Sequence, residues 1–349
     1  AHRRRSKSMT TIALLGTGTV GSAVLARLGG WKGTPFGERL SLAHIANSRL
    51  AFKPIPGVSG WREAPEGTAA LIDVARKLGA HGTRILIDAT ASDAVAEHHA
   101  HWLSQGIHVV TANKLGQGAS LARWRAIRDA QRIGDSRYGD SAAVGAGLPL
   151  LKSIRALLAG GDRIHAIAGV LSGSLAWLFD RYDGVRPFSD FVREAREAGY
   201  TEPDPREDLS GEDVRRKLLI LARAAGAALE PHEVEVASLV PASLAALPLA
   251  DIGAALPRLD ETVRAHHAAC RHGETLRFIA RLENGKARAG LEVLPADHPL
   301  ACGSGTDNRI AILSDRYCRQ PLVIQGPGAG ADVTAAAVLD DVLEIAAGR

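Results

Sequence analysis

The sequence predicts an α/β protein: a Rossmann-type doubly wound parallel sheet domain joined to an α+β domain. Three observations carry this. A short β-type run at residues 11–15 breaks into Gly16-Thr17-Gly18-Thr19-Val20-Gly21 and continues helically over 22–28, so G-x-G-x-x-G stands in its required strand–turn–helix setting. Further strand-like runs at 42–46, 84–88 and 107–111 alternate with helical stretches, the pattern of a parallel sheet. In the second half, runs at 276–282 and 287–294 flank Asn284-Gly285, the strongest short hairpin signal, and strands at 309–313 and 322–325 follow.

Composition bounds the function. The chain has 349 residues, 46% hydrophobic and 23% charged, which is ordinary globular composition and enough for two domains. The net charge of +4 is matched by Arg3, Arg4, Arg5 and Lys7, so the folded body is near neutral and nothing points to a nucleic-acid partner. Residues 1–8 precede Met9 and read as a basic extension outside the fold. A basic start before an apolar stretch also outlines an export signal, but Gly16, Gly18 and Gly21 interrupt that stretch at dinucleotide-turn spacing. No other window reaches membrane-spanning length without charge, so no membrane partner is expected. Cys270, Cys302 and Cys318 are odd in number and lack close metal-type spacing, which fits free thiols in a reducing, cytoplasmic compartment.

Each element of the first half carries a site expectation. The glycine turn permits close approach of backbone to a pyrophosphate, and the helix behind it supplies amide donors; the bland alternative is a glycine-rich packing contact. The strand at 42–46 ends in Asn47-Ser48-Arg49 with no acid for a ribose 2′-hydroxyl. Arg49 there suits a 2′-phosphate, so NADP is expected, with NAD still usable; a surface arginine is the alternative. Strand 84–88 runs into Ala89-Thr90-Ala91-Ser92, where Thr90 and Ser92 suit a pyrophosphate or ribose edge. Strand 107–111 ends in Ala112-Asn113-Lys114, which puts Lys114 beside the expected nicotinamide, unless it is simply an exposed strand-end lysine. A helix over 121–133 follows. Residues 142–149 are nearly free of side chains, as a ligand- or ion-contacting backbone or a domain-joining turn would be.

A helix to 159, a strand at 164–171, a helix opened by Ser172-Gly173-Ser174 and a helix capped by Ser189 lead to the stretch from Gly199 to Lys217. Pro203 and Pro205 hold Glu202 and Asp204 extended, so this part is expected to be loop and not helix. Ser210 with Asp213 reads as a capping box before the apolar run 218–221. Asp213 and Lys217, four residues apart, then share a helix face beside the acidic loop with Glu202 and Asp208. An ordinary solvated salt bridge is the bland alternative. Finally, Gly326-Pro327-Gly328-Ala329-Gly330 precedes a helix over 331–345 and lacks the Lys-Ser/Thr of a P-loop.

Taken together, Gly16 to Gly21, Thr111-Ala112-Asn113-Lys114, the segment from Val144 to Pro149, the Gly199–Lys217 stretch and the glycine run before Thr334-Ala335 resemble homoserine dehydrogenase. The resemblance implies reversible NAD(P)-linked oxidation of homoserine to aspartate-4-semialdehyde, in threonine and methionine biosynthesis, by a homodimer. It implies a nucleotide-binding domain over 9–141 and 326–349 and a dimerisation and catalytic domain over 142–325. By motif match Lys217 is the proton-transfer group with Asp213 as partner, and Lys114 lies between cofactor and substrate. Glu202, Asp208, Tyr200, Gly173 and Ser174 belong to the substrate pocket, and Gly328 joins the cofactor contacts. Ser141, Val144, Ala146 and Leu148 match a monovalent-cation loop, for an ion such as Na+. Two departures stand out: Ser174 replaces a common threonine, and Ser141 replaces a glutamate common at the cation loop. Neither a fused aspartate kinase nor an appended regulatory domain is expected, and so neither is threonine feedback through such a domain. The rival readings are a semialdehyde dehydrogenase with Cys302 as nucleophile and a non-catalytic NADP sensor.

Overall fold

Seven strands form the first sheet: β1 Thr10–Leu15, β2 Leu40–Ala46, β3 Ala51–Pro54, β4 Trp61–Ala64, β5 Thr83–Asp88, β6 His108–Thr111 and β7 Tyr138–Gly139. The structure, a computed structural model, describes residues 9–49, 51–54, 61–64, 74–303 and 305–348; the expected basic extension lies outside them. The spatial order is β4-β3-β2-β1-β5-β6-β7. Strands β2, β1, β5, β6 and β7 run parallel, while β3 and β4 add an antiparallel edge beside β2. The strand order reverses between β1 and β5, so their carboxyl ends open the crevice in which such sheets bind ligands. Ile12, Leu14, Ile85 and Ile87 pack on one face with Val338 and Val342 of the helix Ala331–Ala346; Ala13, Leu15 and Leu86 pack on the other with Trp102, Leu103 and Ile127. Both faces of the strands are buried, which is why they read as continuous apolar runs.

The second sheet comprises β8 Ile164–Val170, β9 Val234–Val236, β10 Thr275–Glu283, β11 Lys286–Leu294, β12 Asp307–Ser314 and β13 Leu322–Pro327, in the order β13-β12-β8-β10-β11-β9. It is antiparallel except for the β11–β9 pair. The expected hairpin is present: Asn284 (φ 51°) and Gly285 (φ 74°) both take left-handed backbone, and Glu283 pairs with Lys286 across the turn. Helices Gly173–Arg181 and Glu212–Ala224 pack against this sheet.

The chain divides into two compact units, one running to Gly147 and resuming at Ala329, the other Leu148–Gly328. These limits fall a few residues beyond the 141/142 and 325/326 boundaries read from the sequence. In the first unit, the Ser141 amide and hydroxyl donate to Asp341 of the last helix at 3.0 and 2.8 Å. In the second, β13 extends to Pro327.

Three local expectations are corrected. The helix carrying Lys217 starts with Gly211 at its N-cap (φ 76°), without a side-chain cap. Ser210 instead ends a short helix, Pro205–Leu209, and donates to the Glu207 carbonyl at 2.9 Å. Packing imposes this arrangement, since a Cβ at Gly211 would stand 2.8 Å from Val236 and 3.1 Å from Phe278. Asp204 is extended as expected, but Pro205 opens the short helix, a position that needs no N–H, with the Asp204 side chain as its cap. Ser189 does not cap its helix, which begins at Phe188 after Pro187; its amide and hydroxyl donate to Asp260 at 2.7 and 3.0 Å.

Candidate functional site

In the Leu148–Gly328 unit, the expected residues converge on the start of the helix Gly173–Arg181. Lys217 Nζ donates to the Leu171 carbonyl at 2.7 Å and pairs with Asp213 Oδ2 at 2.7 Å. The lysine side chain is only 11% exposed, whereas that of Asp213 is 43% exposed, so this is a half-buried pair and not a solvated one. The next residue, Ser172, caps the helix by accepting from the Leu175 amide at 3.2 Å. Ser174 donates to Asp208 Oδ1 at 2.6 Å, and the other carboxylate oxygen accepts from the Glu202 amide at 2.8 Å. Gly173 is tight, because a Cβ would come within 3.1 Å of the Thr306 carbonyl.

Lys217, Asp213, Gly173, Ser174 and Asp208 are thus brought together. Glu202 joins through its backbone, with its side chain exposed. The Tyr200 ring stacks on Trp177 at 5.1 Å between centroids, and the Arg181 guanidinium sits 4.2 Å from the Trp177 ring. Arg206 anchors the acidic segment. Its Nη2 meets Asp204 at 2.7 Å and its Nη1 donates to the carbonyls of Leu244, Ala245 and Leu247. The hydrogen bond from Arg206 holds the Asp204 carboxyl below the usual carboxylate range.

In the first unit, the turn after β1 is a bare backbone cradle. A Cβ at Gly21 would stand 1.9 Å from the Gly16 carbonyl oxygen, and one at Gly16 2.7 Å from that of Ala89. Gly16 also takes φ 94°. The helix Thr19–Gly30 begins at Gly18 with no side-chain cap, so its first-turn amides face the turn, a geometry that receives anions. Val20 packs in the core behind it. Asn47 ties the cradle to the end of β2: its Nδ2 donates to Thr17 Oγ1 at 2.8 Å and its Oδ1 accepts from the Arg49 amide at 2.8 Å. Arg49 is exposed.

Thr90 and Ser92 follow β5, and Lys114 follows β6. Asp88 Oδ1 accepts from the Thr90 amide and hydroxyl at 2.9 and 2.7 Å, and Ser92 accepts from the Val95 amide at 3.4 Å. The Lys114 carbonyl accepts from the Gly118 amide at 2.7 Å.

The expected cation-loop residues are split between the units, with Ser141, Val144 and Ala146 in one and Leu148 in the other. Gly145 (φ 77°) and Ala146 (φ 52°) are both left-handed. For alanine this costs about 1–2 kcal/mol. The Leu148 carbonyl accepts from the Leu150 amide at 2.8 Å. Gly328 lies against the Asn308 amide, where a Cβ would come within 2.0 Å. Among the described residues, no group of three or more His, Cys, Asp or Glu side chains could hold a metal, and no helix is long and apolar enough to cross a membrane.

Comparison with known proteins decides the family. The profile described as homoserine dehydrogenase matches residues 149–343, and that of the homoserine dehydrogenase NAD binding domain matches 16–138. The chain belongs to the homoserine dehydrogenase family. It is 35% identical to homoserine dehydrogenase of Saccharomyces cerevisiae over 98% of this chain and 99% of that protein. It is 39% identical to a chloroplastic bifunctional aspartokinase/homoserine dehydrogenase of Zea mays over 99% of this chain and 40% of that protein. The chain therefore spans about two fifths of the length of the bifunctional relatives it matches. Among solved structures, a putative homoserine dehydrogenase from Archaeoglobus fulgidus has a TM-score of 0.77 at 25% identity, covering 97% of this chain and 99% of that one. A hyperthermophilic archaeal homoserine dehydrogenase in complex with NADPH shares the fold, with a TM-score of 0.75 at 21% identity over 98% of this chain and 99% of that one.

Several residues of this candidate site are missed by sequence reading. Leu171 enters through its carbonyl, which carries no side-chain signal. Asp88 looks like an ordinary strand-end residue, and its partners His99 and Asn113, with Tyr138 bonded to His99 in turn, come from separate elements. Asn47 shows itself only as part of the acid-free strand end.

Proposed function

We propose that the chain catalyses the reversible NAD(P)-dependent interconversion of L-homoserine and L-aspartate-4-semialdehyde, in threonine and methionine biosynthesis in the cytoplasm. The observation that carries this is the anchored Lys217, bonded to Leu171 and Asp213 beside the Ser174–Asp208 pair. An ammonium has three donors, and two are committed here, leaving one for a substrate oxygen.

The bare cradle at Gly16–Gly21 fits a dinucleotide pyrophosphate, with Thr17, Thr19, Thr90 and Ser92 beside it. When bound, the nicotinamide exchanges a hydride with the carbinol or aldehyde carbon. Lys217 holds the hydroxyl or carbonyl oxygen and exchanges the proton with it, and Asp213, 2.7 Å away, holds the lysine in place. Lys114, on the cofactor-binding unit, is the second group able to stabilise a developing alkoxide. Asp208 and Glu202 supply countercharge for the substrate ammonium, and Tyr200, stacked on Trp177, closes the apolar side.

Arg49, with no acid at the strand end, favours NADP over NAD. The left-handed pair Gly145-Ala146 supports a monovalent cation held by carbonyls of the loop that carries Ser141, Val144 and Ala146. The second unit would also form the homodimer. A groove on its sheet, lined by the apolar Ala166, Ala168, Ala311, Leu313, Pro299 and Pro321 together with Arg281 and His298, offers the contact surface. The deciding experiment is homoserine-dependent reduction of NADP by the purified chain. No turnover with NADP or NAD, despite cofactor binding, would refute the reading.

A further inference from the structure

We propose that Asp88 and His99 are positioning residues for the cofactor end of this site: one buried hydrogen-bonded chain that sets the Thr90–Ser92 loop and the Asn113–Lys114 turn in a single geometry. The proposal rests on the NAD(P) reading above.

Asp88 is the last residue of β5 and, like His99, is 0% exposed. A carboxylate so placed is tolerated only when its oxygens are fully met. Four donors meet it: the Thr90 amide and hydroxyl on Oδ1, and His99 Nε2 and Asn113 Nδ2 on Oδ2 at 2.9 and 3.0 Å. Asn113 Nδ2 also donates to the Ser92 carbonyl at 2.9 Å, and Asn113 Oδ1 accepts from the Leu115 amide at 3.0 Å. The loops after β5 and β6 therefore share one carboxylate and one amide.

His99 fixes that carboxylate from behind. Nε2 donates to Asp88, and Nδ1 lies 2.9 Å from the Tyr138 hydroxyl, so both ring nitrogens are engaged. The turn following Lys114 rests directly on this pair. A Cβ at Gly116 would stand 2.1 Å from the Tyr138 hydroxyl oxygen and 3.0 Å from His99 Nδ1. A histidine that merely filled the core would need no polar chain reaching both strand-end loops. This one has it, and a shift at His99 has no slack in which to dissipate before it reaches Thr90, Ser92 and Lys114.

The test uses the full chain and reads NADPH dissociation constant by fluorescence, kcat, the homoserine KM and thermal melting. His99→Phe should weaken NADPH binding and lower kcat about 10-fold to 100-fold, because misplacement by about 1 Å can cost that much. The homoserine KM should stay within about 2-fold, since the substrate-binding residues are untouched. His99→Gln, which can still donate to Asp88, should recover most of the loss. Gly116→Ala should reproduce the His99→Phe pattern by pushing the turn off the pair. That variant decides the matter if His99→Phe does not fold. Unchanged NADPH affinity and kcat in folded His99→Phe, no recovery in His99→Gln, or a Gly116→Ala enzyme that behaves like wild type would each overturn the proposal. A wild-type chain that fails to bind NADPH would instead refute the cofactor reading itself.

Discussion

Replacing Lys217 by methionine keeps a flexible apolar stem and deletes the ammonium. Its Nζ makes two 2.7 Å contacts, to the Leu171 carbonyl and the Asp213 carboxylate. If the remaining donor transfers the proton, the loss in kcat is that of a general acid–base group, about 100-fold to 10,000-fold, which is about 2.7–5.4 kcal/mol of barrier. Stability should change less. The Leu171 carbonyl loses its partner, at a cost of about 1–3 kcal/mol, while Asp213, with a half-exposed side chain, regains water. The assay is homoserine-dependent NADPH formation, alongside NADPH binding and a thermal melt. A folded, NADPH-binding Lys217→Met enzyme with kcat within about 10-fold of wild type would leave Lys217 as a structural ion pair and move proton transfer to Lys114.

Asp208→Asn keeps the shape but turns one acceptor toward the Ser174 hydroxyl or Glu202 amide into a donor; the homoserine KM should rise about 10-fold or more, with NADPH affinity unchanged. Arg49→Ala should erode the preference for NADP over NAD by about 10-fold to 150-fold, in efficiencies compared at fixed moderate salt. A preference untouched by the substitution would refute the 2′-phosphate role. His108 is held below the usual histidine range by burial and then by Arg137, and its Nδ1 accepts from the Arg137 amide at 2.9 Å. Its folded pKa is depressed, so its contribution to stability is complete above the unfolded value of about 6.5 and is lost as pH falls from there through the lower folded value. The melting temperature of His108→Asn should accordingly depend less on pH across that window than the wild type's.

Local signals were sound where the backbone itself carries them. The glycine turn after β1, the Asn284-Gly285 hairpin and the i,i+4 pairing of Asp213 with Lys217 appear as read, because left-handed backbone and helical spacing are properties of neighbouring residues. The capping box at Ser210 was not sound. Serine followed three residues later by aspartate is a genuine local pattern, yet the N-cap fell to Gly211, whose left-handed backbone sits where a Cβ would collide with Val236 and Phe278. Ser189 lost its capping role in the same way, to Asp260 across the fold.

The sequence by itself therefore determined the two-sheet architecture, the nucleotide cradle and the segments from which the site is built. Periodicity, turn residues and motif spacing act over a few residues, and the chain cannot adopt them otherwise at low cost. Only the tertiary structure decided the partners: the Leu171 carbonyl for Lys217, Ser174 for Asp208, Asp341 for Ser141, and His99, Asn113 and Tyr138 around Asp88. Each of those pairs joins residues far apart in the chain, and a buried polar group is satisfied by whatever donor or acceptor the packing brings within reach, which no local pattern encodes.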